Sequence, residues 1–333
     1  MPGLRTTVTE LATGLGTLGL SVDAALARRP VEMVSVSPEL WAVLDRAANG
    51  GELNSDFTSA WANGEAFLKA ADGLRGRTPA IVEWKGAQRA PGDEVVPADL
   101  RIDHVFLISC KYLSRILVNA SPAYLFDRLL KGAHGLRGPD WYGAVASEEY
   151  QALYGAARSE LGRSDLPDDV GDLAQADREL LRRELAGGWP TLCVDAYASL
   201  SAAVAEASAQ RWRIALGSHG EREAMMWRLL RIGSAPYFVL GSSPTGPLRL
   251  RIATPWDWRQ EFRLLAFEVE PEPAGQPRVA WRALVRERHS DAERVVAGHI
   301  EIRWSHGRFG APPEAKAYLD TPHVEVPGYF PLR

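Results

Sequence analysis

Cysteine is nearly missing: two residues in 333, Cys110 and Cys193. Two thiols exclude both a four-cysteine zinc site and a disulfide framework. Both lie in apolar runs and read as reduced core residues, the expectation for a cytoplasmic protein. No apolar run approaches the ~18 residues of a membrane helix. Near Arg5, LATGLGTLGLSVDAAL is broken by Thr, Gly and Asp with no small-residue cleavage site after it, so no signal peptide and no membrane association are expected. An excess of basic charge is lacking too. The net charge of −4 argues against a protein that coats nucleic acid unspecifically. The seven histidines (104, 134, 219, 289, 299, 306, 323) show no H-x-x-x-H or HExxH spacing. G-x-S-x-G is absent and no serine has an evident histidine partner, which disfavours acyl transfer. GLGTLGL has no strand before it and no acidic residue at the distance a dinucleotide fold needs; LGSSPTG lacks the lysine of a phosphate-binding loop. No solenoid-period repeat or low-complexity tract is present.

What is present is an ordinary globular composition, 46% hydrophobic and 24% charged, with eleven tryptophans, most of them expected in the core. The charge is uneven. Residues 211–333 hold 18 Lys/Arg against 14 Asp/Glu, leaving 20 against 28 in residues 1–210. Most of the C-terminal cations are arginines, suited to bidentate phosphate or guanine contacts, though a salt-bridged surface reads as well. Residues 1–60 read as a helical segment; SPELWAVLDRAANGG supplies a cap, a first-turn proline and a glycine stop. SDFTSAWANGEAFLKAADGLRG predicts a helix with Trp61, Phe67 and Leu68 inward and Glu65 near its middle. Three short strands follow, IVEWKG, ADLRID and HVFLISCKY, the first two joined by the polar loop GAQRAPGDEVVP and the last two by a tight Asp103-His104 turn. SPAYLFDRLLKG predicts an amphipathic helix capped by Ser121 and stopped at Gly132. From about 138 to 190 the chain reads as an acidic, solvated helical insertion away from any active region. Helices over Val194–Gln210 and Glu221–Ile232 come next. YFVLG, PLRLRIA, EFRLLAFEVE, RVAWRALVRE and HIEIRWS then predict a largely antiparallel sheet. The segment WSHGRF reads as a turn holding a hydrogen-bonded histidine, or else as a loop touching base or phosphate.

Side chains alternate across a strand. Glu83 and Lys85 therefore share one face of the first strand, and Asp99, Arg101 and Asp103 one face of the second. Ser109 and Lys111 end a third strand that is otherwise apolar on both sides. Ionic groups at the ends of buried strands cost several kcal/mol unless a metal or counter-charge compensates, and that cost suggests chemistry.

A helix bearing a glutamate, three antiparallel strands and a further helix resemble the restriction-endonuclease-like, PD-(D/E)xK, nuclease superfamily over residues 60–131. Asp99, after Pro97-Ala98, matches the metal-holding aspartate. Lys111 matches the lysine, and Cys110 the position whose carbonyl can touch the metal. Ser109 stands where the family has an acid, so Glu83 or Glu65 is the candidate for the second carboxylate; a literal E-x-K also occurs at Glu83-Trp84-Lys85. The resemblance implies an α/β (α+β) fold with a core sheet flanked by helices and an antiparallel, Arg-rich C-terminal region. The organisation expected is a segment 1–60, a nuclease-like core 61–240 carrying the insertion near 138–190, and a β-rich region 241–333. It implies a Mg²⁺-dependent (or Mn²⁺-dependent) endonuclease hydrolysing DNA, in restriction or anti-phage defence, with a homodimer or a defence-system protein as partner. Asp99 and Glu83 or Glu65 would hold the ion, which lowers the pKa of bound water and acts as a Lewis acid. Lys111 would orient the water and stabilise the transition state. The alternative is a catalytically silent nucleic-acid-binding or scaffold subunit marked by Ser109; a plainer reading of the residues alone has Asp99 capping a turn and Lys111 snorkelling from a strand end.

Overall fold

The computed structural model describes residues 3–86, 98–130, 140–233, 236–272 and 275–333. Most of the loop predicted between the first two strands, Pro97 and Gly132 lie outside these residues. Helices α1 (Leu4–Gly16), α2 (Val22–Arg28), α3 (Pro38–Ala48) and α4 (Asn54–Lys69) open the chain, with strand β1 (Met33–Val34) before α3. The three predicted strands form as β2 (Val82–Trp84), β3 (Leu100–Ile102) and β4 (Phe106–Tyr112), followed by β5 (Ile116–Ala120). Where a regular α-helix is predicted, the chain makes a π-helical turn at Tyr124–Arg128, with Ser121 Oγ accepting from Tyr124 N (3.3 Å) as the cap reading requires. Next come α5 (Trp141–Val145), α6 (Ser147–Glu160), α7 (Gln175–Glu184), α8 (Thr191–Ala215) and α9 (His219–Leu229). The chain ends with β6 (Tyr237–Ser243), β7 (Gly246–Ile252), α10 (Pro255–Glu261), β8 (Phe262–Pro271), β9 (Arg278–Glu287), β10 (Glu293–Arg303), β11 (Glu314–Leu319) and β12 (Tyr329–Pro331).

The chain is thus a mixed α/β protein with one mixed and one antiparallel sheet. It divides into two units that do not follow the linear boundaries expected. The first comprises Met1–Arg115, Arg231–Phe262 and Pro322–Arg333; the second comprises Ile116–Leu230 and Arg263–Thr321. The last third is therefore not one sheet. Its first two strands, β6 and β7, join the N-terminal unit because β6 pairs in parallel with β4.

In the first unit seven strands run in the order β1-β2-β3-β4-β6-β7-β12. The β3–β4 hairpin closes through Asp103 and His104 at φ 48° and 58°, the two positive angles a type I′ turn demands. Asp103 Oδ1 secures it by accepting from Ala80 N (2.8 Å) and Ile81 N (3.1 Å). Helices α1 and α4 cover one face of this sheet. Val8, Leu11 and Leu15 of α1 and Phe57 and Phe67 of α4 form one core with Val82, Leu100, Ile108 and Phe238. Phe67 meets Phe238 edge-on at 4.9 Å, and each such buried ring contributes roughly 1.5–3 kcal/mol. The two helices cross at Gly16 and Gly64. A Cβ on either would collide with the partner's backbone, Trp61 O for Gly16 and Thr13 O for Gly64. The crossing also holds a buried polar chain: Thr13 Oγ1 meets Tyr112 OH (2.6 Å), and Asn63 Nδ2 donates to Gly241 O (2.8 Å).

The second unit holds five strands in the order β5-β11-β10-β9-β8. Val279, Trp281, Ile300 and Ile302 alternate inward from β9 and β10 and are essentially inaccessible. Two buried indoles find acceptors: Trp141 Nε1 donates to Ser208 Oγ (3.0 Å) and Trp212 Nε1 to Leu125 O (2.8 Å).

Candidate functional site

Strand register decides which side chains meet. Glu83 pairs with Arg101, and Arg101 with Leu107. Beyond these pairs, Lys85 N donates to Asp99 O (2.9 Å) and Asp99 N to Ile108 O (2.8 Å). Alternation places Glu83, Lys85, Asp99, Arg101, Ser109 and Lys111 on one face. Val82, Leu100, Ile102, Ile108 and Cys110 take the other, against α1 and α4. The carboxylate of Asp99 reaches across to β4, where Oδ2 accepts from Cys110 N (2.6 Å) and from Ser109 Oγ (3.3 Å). Asp99, Ser109 and Lys111 are therefore brought to one face, as the sequence pattern requires.

Of the two candidates for a second carboxylate, Glu83 shares this face and Glu65 does not. Glu83 lies on the right face but is held by Arg101 Nε (2.5 Å) and Nη2 (2.8 Å), with His104 Nδ1 at 3.1 Å and Lys85 Nζ at 3.9 Å. The Arg101 hydrogen bond keeps its carboxyl below the usual range despite partial burial. Glu65 sits on α4, across the sheet, and accepts from Trp61 Nε1 (3.2 Å). The Cys110 side chain also faces the helices, where burial and then the charge of Asp99 push its thiol upward. It is a half-buried thiol packed against the core.

A magnesium ion prefers several oxygen ligands, carboxylates foremost. Here one oxygen of Asp99 is engaged by a peptide N–H, both oxygens of Glu83 face a guanidinium, and Ser109 offers a neutral hydroxyl. Among the described residues no group of three or more His, Cys, Asp or Glu side chains could hold a metal. The two carboxylates of this face, Asp99 and Glu83, both already accept hydrogen bonds from protein donors.

On the Asp99 face the structure adds residues the strand pattern did not single out. Tyr237, at the start of β6, interacts with Ser109, and burial pushes its phenol up to about 12. His323 is 8% exposed and its Nε2 has no hydrogen-bond partner among the described residues. Burial, then the charges of Lys111 and Arg115, push its imidazole down to about 4, so it is neutral at pH 7. No spacing in the sequence ties His323 to Lys111, 212 positions away; only sheet order does. Lys111 and Arg115 thus bring positive charge to a face that also carries a neutral base and the carboxylates of Asp99 and Glu83.

No family model, curated protein or solved structure matches this chain. Its function is read from its own geometry.

Proposed function

We propose that the first unit is a restriction-endonuclease-like core that acts on DNA phosphodiester bonds. The observation that carries this reading is that Asp99 and Lys111 lie on one face of neighbouring strands, with the Asp99 carboxylate bonded to the two residues immediately before Lys111. Helix α4 followed by antiparallel β2, β3 and β4 agrees with the element order of that superfamily. In this arrangement Lys111 and Arg115 counter the charge of a phosphodiester, and a fixed cation near a developing anion is the strongest contribution a protein makes to such a reaction. The Nε2 of His323, neutral and without a hydrogen-bond partner among the described residues, is able to accept a proton. Asp99 holds the end of β4 in register, fixing where Lys111 projects. Divalent-ion chemistry belongs to the superfamily; Asp99 and Glu83 are the carboxylates of this face that would hold such an ion, and no step is assigned to it. A setting in restriction or phage defence, and a homodimer that cuts both strands, follow from this reading.

A second reading is favoured by Ser109 and by the Glu83–Arg101 pair, which occupies the other acid on this face. It is a silent nucleic-acid-binding subunit that keeps the fold. Incubating the full chain with plasmid DNA, single-stranded DNA and RNA, each with Mg²⁺, Mn²⁺ or EDTA, separates the two. Nicked or linear plasmid with a divalent ion and none with EDTA is expected. Intact substrates in every arm, together with retained DNA binding, would establish the silent subunit instead.

A further inference from the structure

The second unit contains a half-open cavity of about 1310 Å³ between the end of α7, the start of α8 and the turn after β10. This exceeds the roughly 300–1,000 Å³ usual for small-ligand sites. Three aromatic rings border it. Trp189 and Tyr197 lie 4.9 Å apart, and Trp304 stands 6.0 Å from Trp189 and 6.4 Å from Tyr197, nearly parallel to the latter at 23°. Four arginines border it as well: Arg182, Arg183, Arg303 and Arg308. Among the described residues no acidic side chain lines it. Glu179 binds Arg182 (2.5 Å) and Glu301 binds Arg303 (3.4 Å), both from outside the lining. Arg308 stacks over Trp189 at 4.7 Å and donates to Leu185 O, which fixes its guanidinium at the rim. The turn is shaped for this: Gly307, at φ 87°, lies directly on the stem of Arg182, where a Cβ would not fit.

We infer that this cavity binds a nucleotide unit, its base against Tyr197 or Trp304 and its phosphate against Arg183 and Arg308. Flat aromatic faces accept any base by stacking, and guanidinium groups grip phosphate through paired N–H donors. A purely apolar ligand would leave the guanidinium groups of Arg183 and Arg308 facing it; bare phosphate would leave the rings unused. The segment WSHGRF, which as sequence reads either as a plain turn or as a base-contacting loop, supplies Trp304 and Arg308. Part of the stretch read as an inert acidic insertion supplies Arg182, Arg183 and Trp189. This site belongs to the second unit and the proposed chemistry to the first, so binding can be found where cleavage is absent and the reverse.

The test is calorimetric titration of the full chain with a deoxynucleoside monophosphate, its nucleoside, inorganic phosphate and a short single-stranded oligonucleotide. The nucleotide or the oligonucleotide should bind at least about tenfold tighter than nucleoside or phosphate alone, since each of these lacks one half of the recognition. The tighter of the two names the source, a free nucleotide or a base within a strand. Arg183→Glu, on an exposed side chain whose replacement spares folding, and Tyr197→Ala should each weaken binding about tenfold or more. Binding of phosphate as tight as of nucleotide, no binding in either nucleotide arm, or full affinity in both variants would overturn the inference.

Discussion

Replacing Asp99 separates a scaffold role from a chemical one. Asp99→Ala removes the acceptor of Cys110 N–H, a bond of 2.6 Å. Leaving a partly buried donor unsatisfied costs about 1–3 kcal/mol. Asp99→Asn keeps an oxygen in the same place and loses only the charge, so its cost is about 1 kcal/mol, the difference between charged and neutral hydrogen bonds. For a unit of this size each kcal/mol lowers the melting temperature by roughly 2–4 °C. Asp99→Ala should therefore melt a few degrees below Asp99→Asn, and Asp99→Asn a few degrees below the parent. If the Asp99–Lys111 face performs hydrolysis, both variants lose cleavage by about a hundredfold or more, out of proportion to stability. The assays are thermal denaturation and plasmid nicking on the same preparations. Full cleavage by a folded Asp99→Asn protein would refute the catalytic part of the reasoning. An unchanged melting temperature in Asp99→Ala would refute the hydrogen-bond part.

Two further outcomes follow from packing and charge. Gly64→Ala gains about 1 kcal/mol of helix propensity, yet its methyl group would meet Thr13 O and lie 2.9 Å from Gly16 Cα. Because both are backbone atoms, α1 must shift, and a net loss of about 1–3 kcal/mol is expected in urea denaturation. Gly155→Ala, an exposed helical position with nothing within 4 Å of the added carbon, should instead gain up to about 1 kcal/mol; equal effects at the two sites would sink the crossing argument. The Glu83 carboxyl is held below its ordinary value by Arg101. A depressed acid stabilises the folded state above its unfolded pKa and stops doing so as pH falls through the folded one. At pH 7 Glu83→Gln should be less stable than the parent by about 1.5 kcal/mol, the lower end for a charged hydrogen bond because Arg101 is 32% exposed. The gap should narrow as pH falls below 4.5, and a gap that persists or widens there would contradict the assignment.

Local chemistry alone determined a good deal of this protein. Alternation located β2, β3 and β4 and placed Asp99, Ser109 and Lys111 on one face, and the Asp103-His104 turn between β3 and β4 was legible as well, because strand period and turn type depend on adjacent residues. The cap and glycine signals likewise located α3, and helical periodicity α4. Which strands share a sheet is a different matter: β4 lies beside β6 across more than a hundred residues, and that pairing divides the last third between two sheets. The same long-range contacts decide the partners of the charged groups. Glu83 looks available for a metal until Arg101 stands opposite it, Glu65 until α4 takes the far face, and His323 looks ordinary until sheet order brings it near Lys111. Electrostatic environment depends on what surrounds a side chain in space, and folding alone supplies those neighbours.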